Sequence, residues 1–192
     1  MSKVVIAGDA SGTGTFTISA PNGNTDRTLV LPDEAGTVLT SAGVPASAMP
    51  AGSVLQVVQT TTSTYATNSS TTYASTGLST SITPSSSSSK ILVIAYCPLR
   101  FGSSNAQTAG LRINRGGTVV MTDKYVNNVS SVVDISYPIT MTYLDSPSAT
   151  SSTTYTIEFA SLSSASPYGY PAVNWSNNGS TLATLTLMEV AA

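Results

Sequence analysis

Lys90-Ile-Leu-Val-Ile-Ala-Tyr-Cys97 sets seven consecutive apolar residues behind one lysine, and Pro98 follows. Seven residues span only about 23 Å as an extended strand, too short to cross a bilayer. β-Branched and aromatic residues fill the run without polar alternation, the pattern of a central strand buried on both faces. Downstream the β signal continues. Gln107 to Asn114 alternates, Arg115-Gly-Gly-Thr118 carries the glycine pair that tight hairpins favour, and Val119 to Thr122 returns. Val132 to Leu144 reads as a long strand bent or bulged at Pro138, because proline removes a ladder donor. Thr153 to Ala160 sets Tyr155, Ile157 and Phe159 on one face and Thr154, Thr156 and Glu158 on the other, and Leu182 to Val190 follows the same style. Helical periodicity is absent throughout. The expected fold class is all-β, an antiparallel β-sandwich with a jelly roll as first choice.

Upstream of Lys90 the pattern thins. From Thr60 to Ser89 nearly every residue bears a hydroxyl, with Tyr65, Tyr73, Leu78 and Ile82 interspersed, and the stretch ends in Pro84 and five serines. Leu78 to Thr83 alternates as a strand; the serine run has nothing to bury and reads as loop. Ser41 to Gly52 contains Pro45 and Pro50, small residues and no charge, which suits an extended connector. The expected organisation is therefore an N-terminal segment, 1–45, and a head domain, 52–192. Within the first 40 residues lie short β-type runs, Lys3 to Ala7, Gly14 to Ser19, Arg27 to Leu31 and Gly36 to Thr40. So few strands cannot enclose a core alone, so this segment should pair with copies of itself or with a larger partner.

Composition excludes several classes of function. Of 192 residues only 8% are charged, the net charge is −2, and Ser and Thr number 61, so hydroxyls rather than charges face water. No cationic surface is offered to a phosphate backbone or an anionic bilayer, so neither nucleic-acid binding nor membrane insertion is expected. Histidine is absent, which removes imidazole bases, Ser-His and Cys-His nucleophiles and His-ligated metals. One cysteine, Cys97, allows no intrachain disulfide. Val4 to Ala7 is far too short for the apolar region of a leader, and none is expected.

Gly14-Thr-Phe-Thr-Ile-Ser-Ala-Pro21, then Arg27-Thr-Leu-Val-Leu-Pro32 and Gly36-Thr-Val38, resembles a segment that recurs near the start of tail fibres and other virion appendage proteins of tailed bacteriophages, cyanophages included. Ser89 to Val93, Gly110 to Gly117, Tyr155 to Phe159 and Leu185 to Glu189 look like strands of the β-sandwich at the distal end of such proteins. The resemblance implies a homotrimeric virion protein, assembled in the bacterial cytoplasm, that docks through its N-terminal segment on baseplate, tail or capsid proteins and presents its head for host-surface recognition. It carries no catalytic motif. A capsid decoration or head fibre stands as the alternative, and a carbohydrate-binding, lectin-like module as a further one.

No catalytic, cofactor-binding or metal-ligating set emerges from the residues. Asp33 and Glu34 sit in a Pro-Asp-Glu-Ala-Gly turn, where neighbours rarely converge on one substrate, and Asp123, Asp134, Asp145 and Glu158 are scattered singly. Cys97 reads as a core thiol, and Arg112 and Arg115, flanking a hairpin, read as partners for carboxylates. The candidate receptor surface is Tyr168, Tyr170, Trp175, Asn177 and Asn178. Aromatic rings stack on sugar faces and amides bond hydroxyls, so a host-surface polysaccharide is the ligand class this chemistry suits. Against this stands the reading that Trp175 plugs the sandwich and the tyrosines fill a trimer seam.

Overall fold

Period-two burial runs through most of the chain beyond residue 50, and pairing sorts it into two antiparallel sheets. The computed structural model describes residues 11–15, 17, 22–24, 26, 28, 44, 46–101, 107–128, 135–162, 171–173 and 181–192. Two compact units divide the chain, Met1–Val38 and Leu39–Ala192. In the first, Gly14, Thr15, Thr17 and Thr28 are exposed and outside any strand, and the remainder of the four expected N-terminal strands lies outside the described residues.

Among the described residues the second unit holds one 3-10 turn at Ala46–Ala48 and ten strands: β1 (Val54–Thr62), β2 (Ala66–Thr67), β3 (Ala74–Ile82), β4 (Lys90–Phe101), β5 (Gln107–Arg115), β6 (Thr118–Asn128), β7 (Ile135–Asp145), β8 (Thr153–Ser161), β9 (Pro171–Val173) and β10 (Ala183–Val190). One sheet runs β1-β10-β4 with β7 on the far side of β4, and β9 and β2 continue beside the end of β4; the other runs β3-β8-β5-β6. The pairing is nested. The outermost strands β1 and β10 pair, then β3 with β8, β4 with β7, and β5 with β6, and successive pairs alternate between the sheets. All-β with antiparallel sheets is thus what the chain adopts.

Alternate residues from both sheets form a common apolar core. Ile91, Val93, Ala95, Cys97, Leu99 and Phe101 of β4, Leu185 and Leu187 of β10, Leu111 and Ile113 of β5, and Tyr155, Ile157 and Phe159 of β8 are all buried. One expectation for β4 needs correcting. Its intervening residues Leu92 and Ile94 are only half-buried and Tyr96 is exposed, so this chain covers the strand on one face, not both.

The bulge expected at Pro138 is also absent: β7 runs through it in regular pairing, and Pro98 does not break β4. Pro98 sits opposite Pro138 in an unshifted register from Ile91↔Asp145 to Phe101↔Ile135. Two prolines cannot exchange N–H bonds, so theirs is a non-hydrogen-bonded pair whose nitrogens point away from each other. On β7 that direction is a sheet edge among the described residues. On β4 it is the junction where β10 ends, opposite Tyr96, and β9 begins, opposite Leu99. No ladder donor is missed on either side.

The hairpin at Arg115–Thr118 turns through Gly116 and Gly117, with φ of 53° and 95°, and Asn114 Oδ1 accepts the Gly117 N–H at 2.8 Å. Both central residues need positive φ, which explains the glycine pair. The hydroxyl-rich stretch holds more strand than its composition suggests: β1, β2 and the start of β3 fall there or just before it. Asn68 pins the connection that follows, donating to Phe159 O at 2.7 Å and Thr72 O at 3.0 Å. Tyr73 then lies over Gly110, with the Arg112 guanidinium 4.0 Å from its ring centre. A Cβ at Gly110 would collide with the Tyr73 hydroxyl and with Leu162 at 2.8 Å. Gly110→Ala should therefore lower unfolding free energy by about 1–3 kcal/mol, measured by urea titration, as overpacking does; an unchanged midpoint would mean Tyr73 moves away freely.

Candidate functional site

The five residues expected to contact a receptor, Tyr168, Tyr170, Trp175, Asn177 and Asn178, lie outside the described residues. Between their two stretches the chain forms the short strand β9. β9 pairs with the end of β4, Val173 opposite Leu99, and with β2, Val173 opposite Ala66, and Ala172 and Val173 are buried. Asp33, Glu34 and Asp134 also lie outside the described residues.

Cys97 points into the core, fully buried, and burial alone pushes its thiol up to about 12. At neutral pH it is a thiol rather than a thiolate, and only the thiolate is a competent nucleophile. Both arginines flanking the hairpin meet carboxylates. Arg112 Nε donates to Glu158 Oε2 at 2.7 Å, and Asn114 Nδ2 to Glu158 Oε1 at 3.2 Å. Glu158 and Arg112 face each other on neighbouring strands, so the pair is an outer-face clasp between β8 and β5.

Asp145 is tied more tightly. It is 5% exposed, and its Oδ2 accepts Arg115 Nη1 at 2.6 Å and the Tyr155 hydroxyl at 2.7 Å. Asp145 ends β7 in one sheet, whereas Arg115 and Tyr155 belong to β5 and β8 in the other. Burial raises the Tyr155 pKa, and donation to the Asp145 carboxylate raises it further. Burial alone would lower the Arg115 pKa, but hydrogen bonding and charge attraction from Asp145 outweigh it and raise the value. The phenol and the guanidinium thus both stay protonated near neutral pH, and the cluster is a strut between the sheets.

Glu189 is the carboxylate that inspection of single residues overlooks. It occupies the fourth inward position of β10, after Ala183, Leu185 and Leu187, and is 1% exposed. The serine run caps it: Ser85 N–H and Ser85 Oγ donate to Oε1 at 2.7 and 2.6 Å, and Gln56 Nε2 donates to Oε2 at 2.6 Å and to Thr83 O at 2.7 Å. Burial works to raise its pKa, but hydrogen bonds from Ser85 and Gln56 prevail and hold it below the ordinary value of 4.5. The carboxylate is ionised and spent on its own protein. The alternation Ala-x-Leu-x-Leu-x-Glu was a legible signal, since it places an acid in an inward register that needs donors. A recess of about 320 Å³ opens beside this cap, walled by Ala46, Met49, Leu55, Ser86, Ser88 and Ala191 among others, so it offers hydroxyls and methyl groups to a visitor.

The two outer sheet faces contrast. On β3-β8-β5, hydroxyls pair across strands, Ser79 with Thr156 at 2.9 Å and Ser81 with Thr154 at 2.7 Å, beside the Arg112–Glu158 ion pair. On β1-β10-β4-β7, one cross-strand row consists of Val57, Met188, Leu92 and Leu144. Val57 is 55% and Leu144 48% exposed, and Val54 and Tyr96 on the same face are exposed as well. Among the described residues, no group of three or more acidic, cysteine or histidine side chains is placed to hold a metal. No described helix is long and apolar enough to cross a membrane. No family model matches the chain, and no match was found among curated proteins.

Proposed function

We propose that this chain is a non-enzymatic virion protein, a short homotrimeric tail fibre of a tailed bacteriophage. In this reading residues 1–45 dock on the particle and residues 52–192 form a jelly-roll sandwich head for host-surface recognition. The observation that carries it is the nested pairing of eight strands, β1 with β10, β3 with β8, β4 with β7 and β5 with β6, alternating between two sheets. A long antiparallel hairpin rolled up in this way is the strand logic of a jelly roll, an architecture that viral coat proteins and lectins share. The N-terminal resemblance to fibre attachment segments favours the virion over a free lectin. Supporting the non-enzymatic part, Asp145, Glu158 and Glu189 each serve neighbours within the fold.

Antibodies raised against residues 52–192 test the proposal on purified virions by immunogold electron microscopy and by adsorption assay. Gold at the tail tip or baseplate, with adsorption blocked by the antibody, is the expected result. Gold spread over the capsid would replace the tail fibre with a decoration or head fibre, and virions free of label would refute the virion reading altogether.

A further inference from the structure

The recess beside the Glu189 cap has walls of two kinds. Ala46, Met49, Leu55 and Ala191 give it an apolar side. Ser86, Ser88 and Ser89 add hydroxyls, and no charged side chain of the described residues lines it. Ser89 is the informative member. It is 2% exposed, and its Oγ makes no hydrogen bond among the described residues. The Glu189 carboxylate nearby is engaged by Ser85 and Gln56 instead. A buried hydroxyl without a partner is a standing cost to the fold, and one that lines a recess is relieved when a ligand supplies the partner. Ser86 and Ser88 add to this. Their hydroxyls lie 2.9 Å apart, so one donates to the other and the second O–H is left for another acceptor.

We propose that this recess is a subsite for one neutral pyranose carrying a methyl group, an N-acetylhexosamine or 6-deoxyhexose unit of a surface glycan. The inference rests on the host-recognition reading above and places a sugar contact outside the Tyr168 to Asn178 stretch. Three features select this ligand class. Serine and sugar hydroxyls both donate and accept, so each completes the other whichever way the protons turn. Charge selects next. With no guanidinium or ammonium in the wall, a phosphate or carboxylate would shed its water for no counter-charge, and a cation gains little from Glu189 oxygens already held by Ser85 and Gln56. Size sets the rest. About 320 Å³ is the room of about ten waters at roughly 30 Å³ each, the lower end of ligand pockets, which suits one ring with its substituent rather than a peptide. The side formed by Met49 and Leu55 then calls for a methyl group rather than another hydroxyl. A site for a single ring binds weakly, with a Kd on the order of 1 mM, and several heads per particle multiply it.

Saturation-transfer NMR on the full chain tests the subsite, with N-acetylglucosamine and rhamnose as probes and glucose and glucuronate as controls. The expected result is transfer to at least one probe, strongest at its methyl protons, weaker transfer to glucose and none to glucuronate. Ser89→Ala should weaken binding of the responding probe about three- to tenfold, the worth of one hydrogen bond. The melting midpoint should stay in place, because that hydroxyl bonds nothing among the described residues. Ser88→Tyr, at an exposed position on the wall, should fill the recess and abolish the transfer while the β-type circular dichroism is kept. No transfer to either probe, transfer that either variant leaves unchanged, or transfer to glucose or glucuronate as strong as to the probes overturns the inference. A midpoint that falls with Ser89→Ala overturns it too, since the hydroxyl would then serve the fold. The virion reading fails separately, in the labelling of particles. Virions free of label, with a sugar bound here, leave the subsite standing in a lectin; labelled tails with no sugar bound leave the fibre standing without it.

Discussion

Asp145→Ala is expected to lower unfolding free energy by about 3–4 kcal/mol, the largest loss from any single polar side chain described above. The estimate follows from what the change strands. Tyr155 is fully buried and would lose its acceptor, and a buried hydroxyl without a partner costs about 1–3 kcal/mol. Arg115 would lose its counter-ion; with 25% of its side chain exposed it recovers part of that loss by turning to water. The space left by the carboxylate adds a smaller penalty. Because the strut joins the end of one sheet to two strands of the other, the destabilisation should be global. For a unit of this size it corresponds to a drop of roughly 10 °C in the melting midpoint. Wild type and variant are to be compared by urea titration at equal chain concentration, since association contributes to apparent stability. Asp145→Asn keeps an acceptor for Tyr155 and should lose about half as much. If Asp145→Ala loses under about 1 kcal/mol, the strut does not hold the sheets together.

Glu189→Gln should cost about 2–3 kcal/mol at pH 7, and the cost should vanish in acid. The glutamine amide would set its NH₂ against that of Gln56 or against the donors of Ser85, so at least one buried donor loses its acceptor. The pH dependence follows from the lowered pKa. The folded protein holds Glu189 ionised to a lower pH than the unfolded chain does, so the unfolded chain binds its proton first as pH falls. The stabilisation is complete above the ordinary value of 4.5 and is lost as pH drops through the folded value beneath it. Urea titrations of both proteins at pH 7 and at about pH 3 should show a large difference and then a small one. An equal difference at both pH values would mean that folding leaves the Glu189 pKa unshifted, so the cap does not favour the carboxylate.

Much of the strand content was written in side-chain order. Lys90 to Cys97, Tyr155-x-Ile-x-Phe159 and Leu185-x-Leu187 each satisfy a pleated, half-buried surface whatever their neighbours are, and the Gly116-Gly117 turn follows from the positive φ that two central residues must adopt. β1 was harder to read. Its Val54-Leu-Gln-Val-Val-Gln59 stretch carries a shift of one residue in register with β10, which breaks the alternation that marks a strand. The serine run was legible as loop and illegible as cap, because its function depends on a carboxylate 104 residues away.

Local pattern alone therefore determined that this chain is all-β, that its core thiol is inert, and that no imidazole or thiolate chemistry is open to it, since each of these depends on residue type and near neighbours. Which sheet each strand joins, that Pro98 and Pro138 face each other at a partner change, that Asp145 bridges the sheets, and that the half-buried residues of β4 line an apolar outer face were decided only by tertiary structure. The physical reason is that sequence alternation separates the two faces of a strand but cannot say whether the second face meets water, a loop or another chain. That choice is set by pairing between residues distant in sequence, whose energy appears only once the sheets have formed.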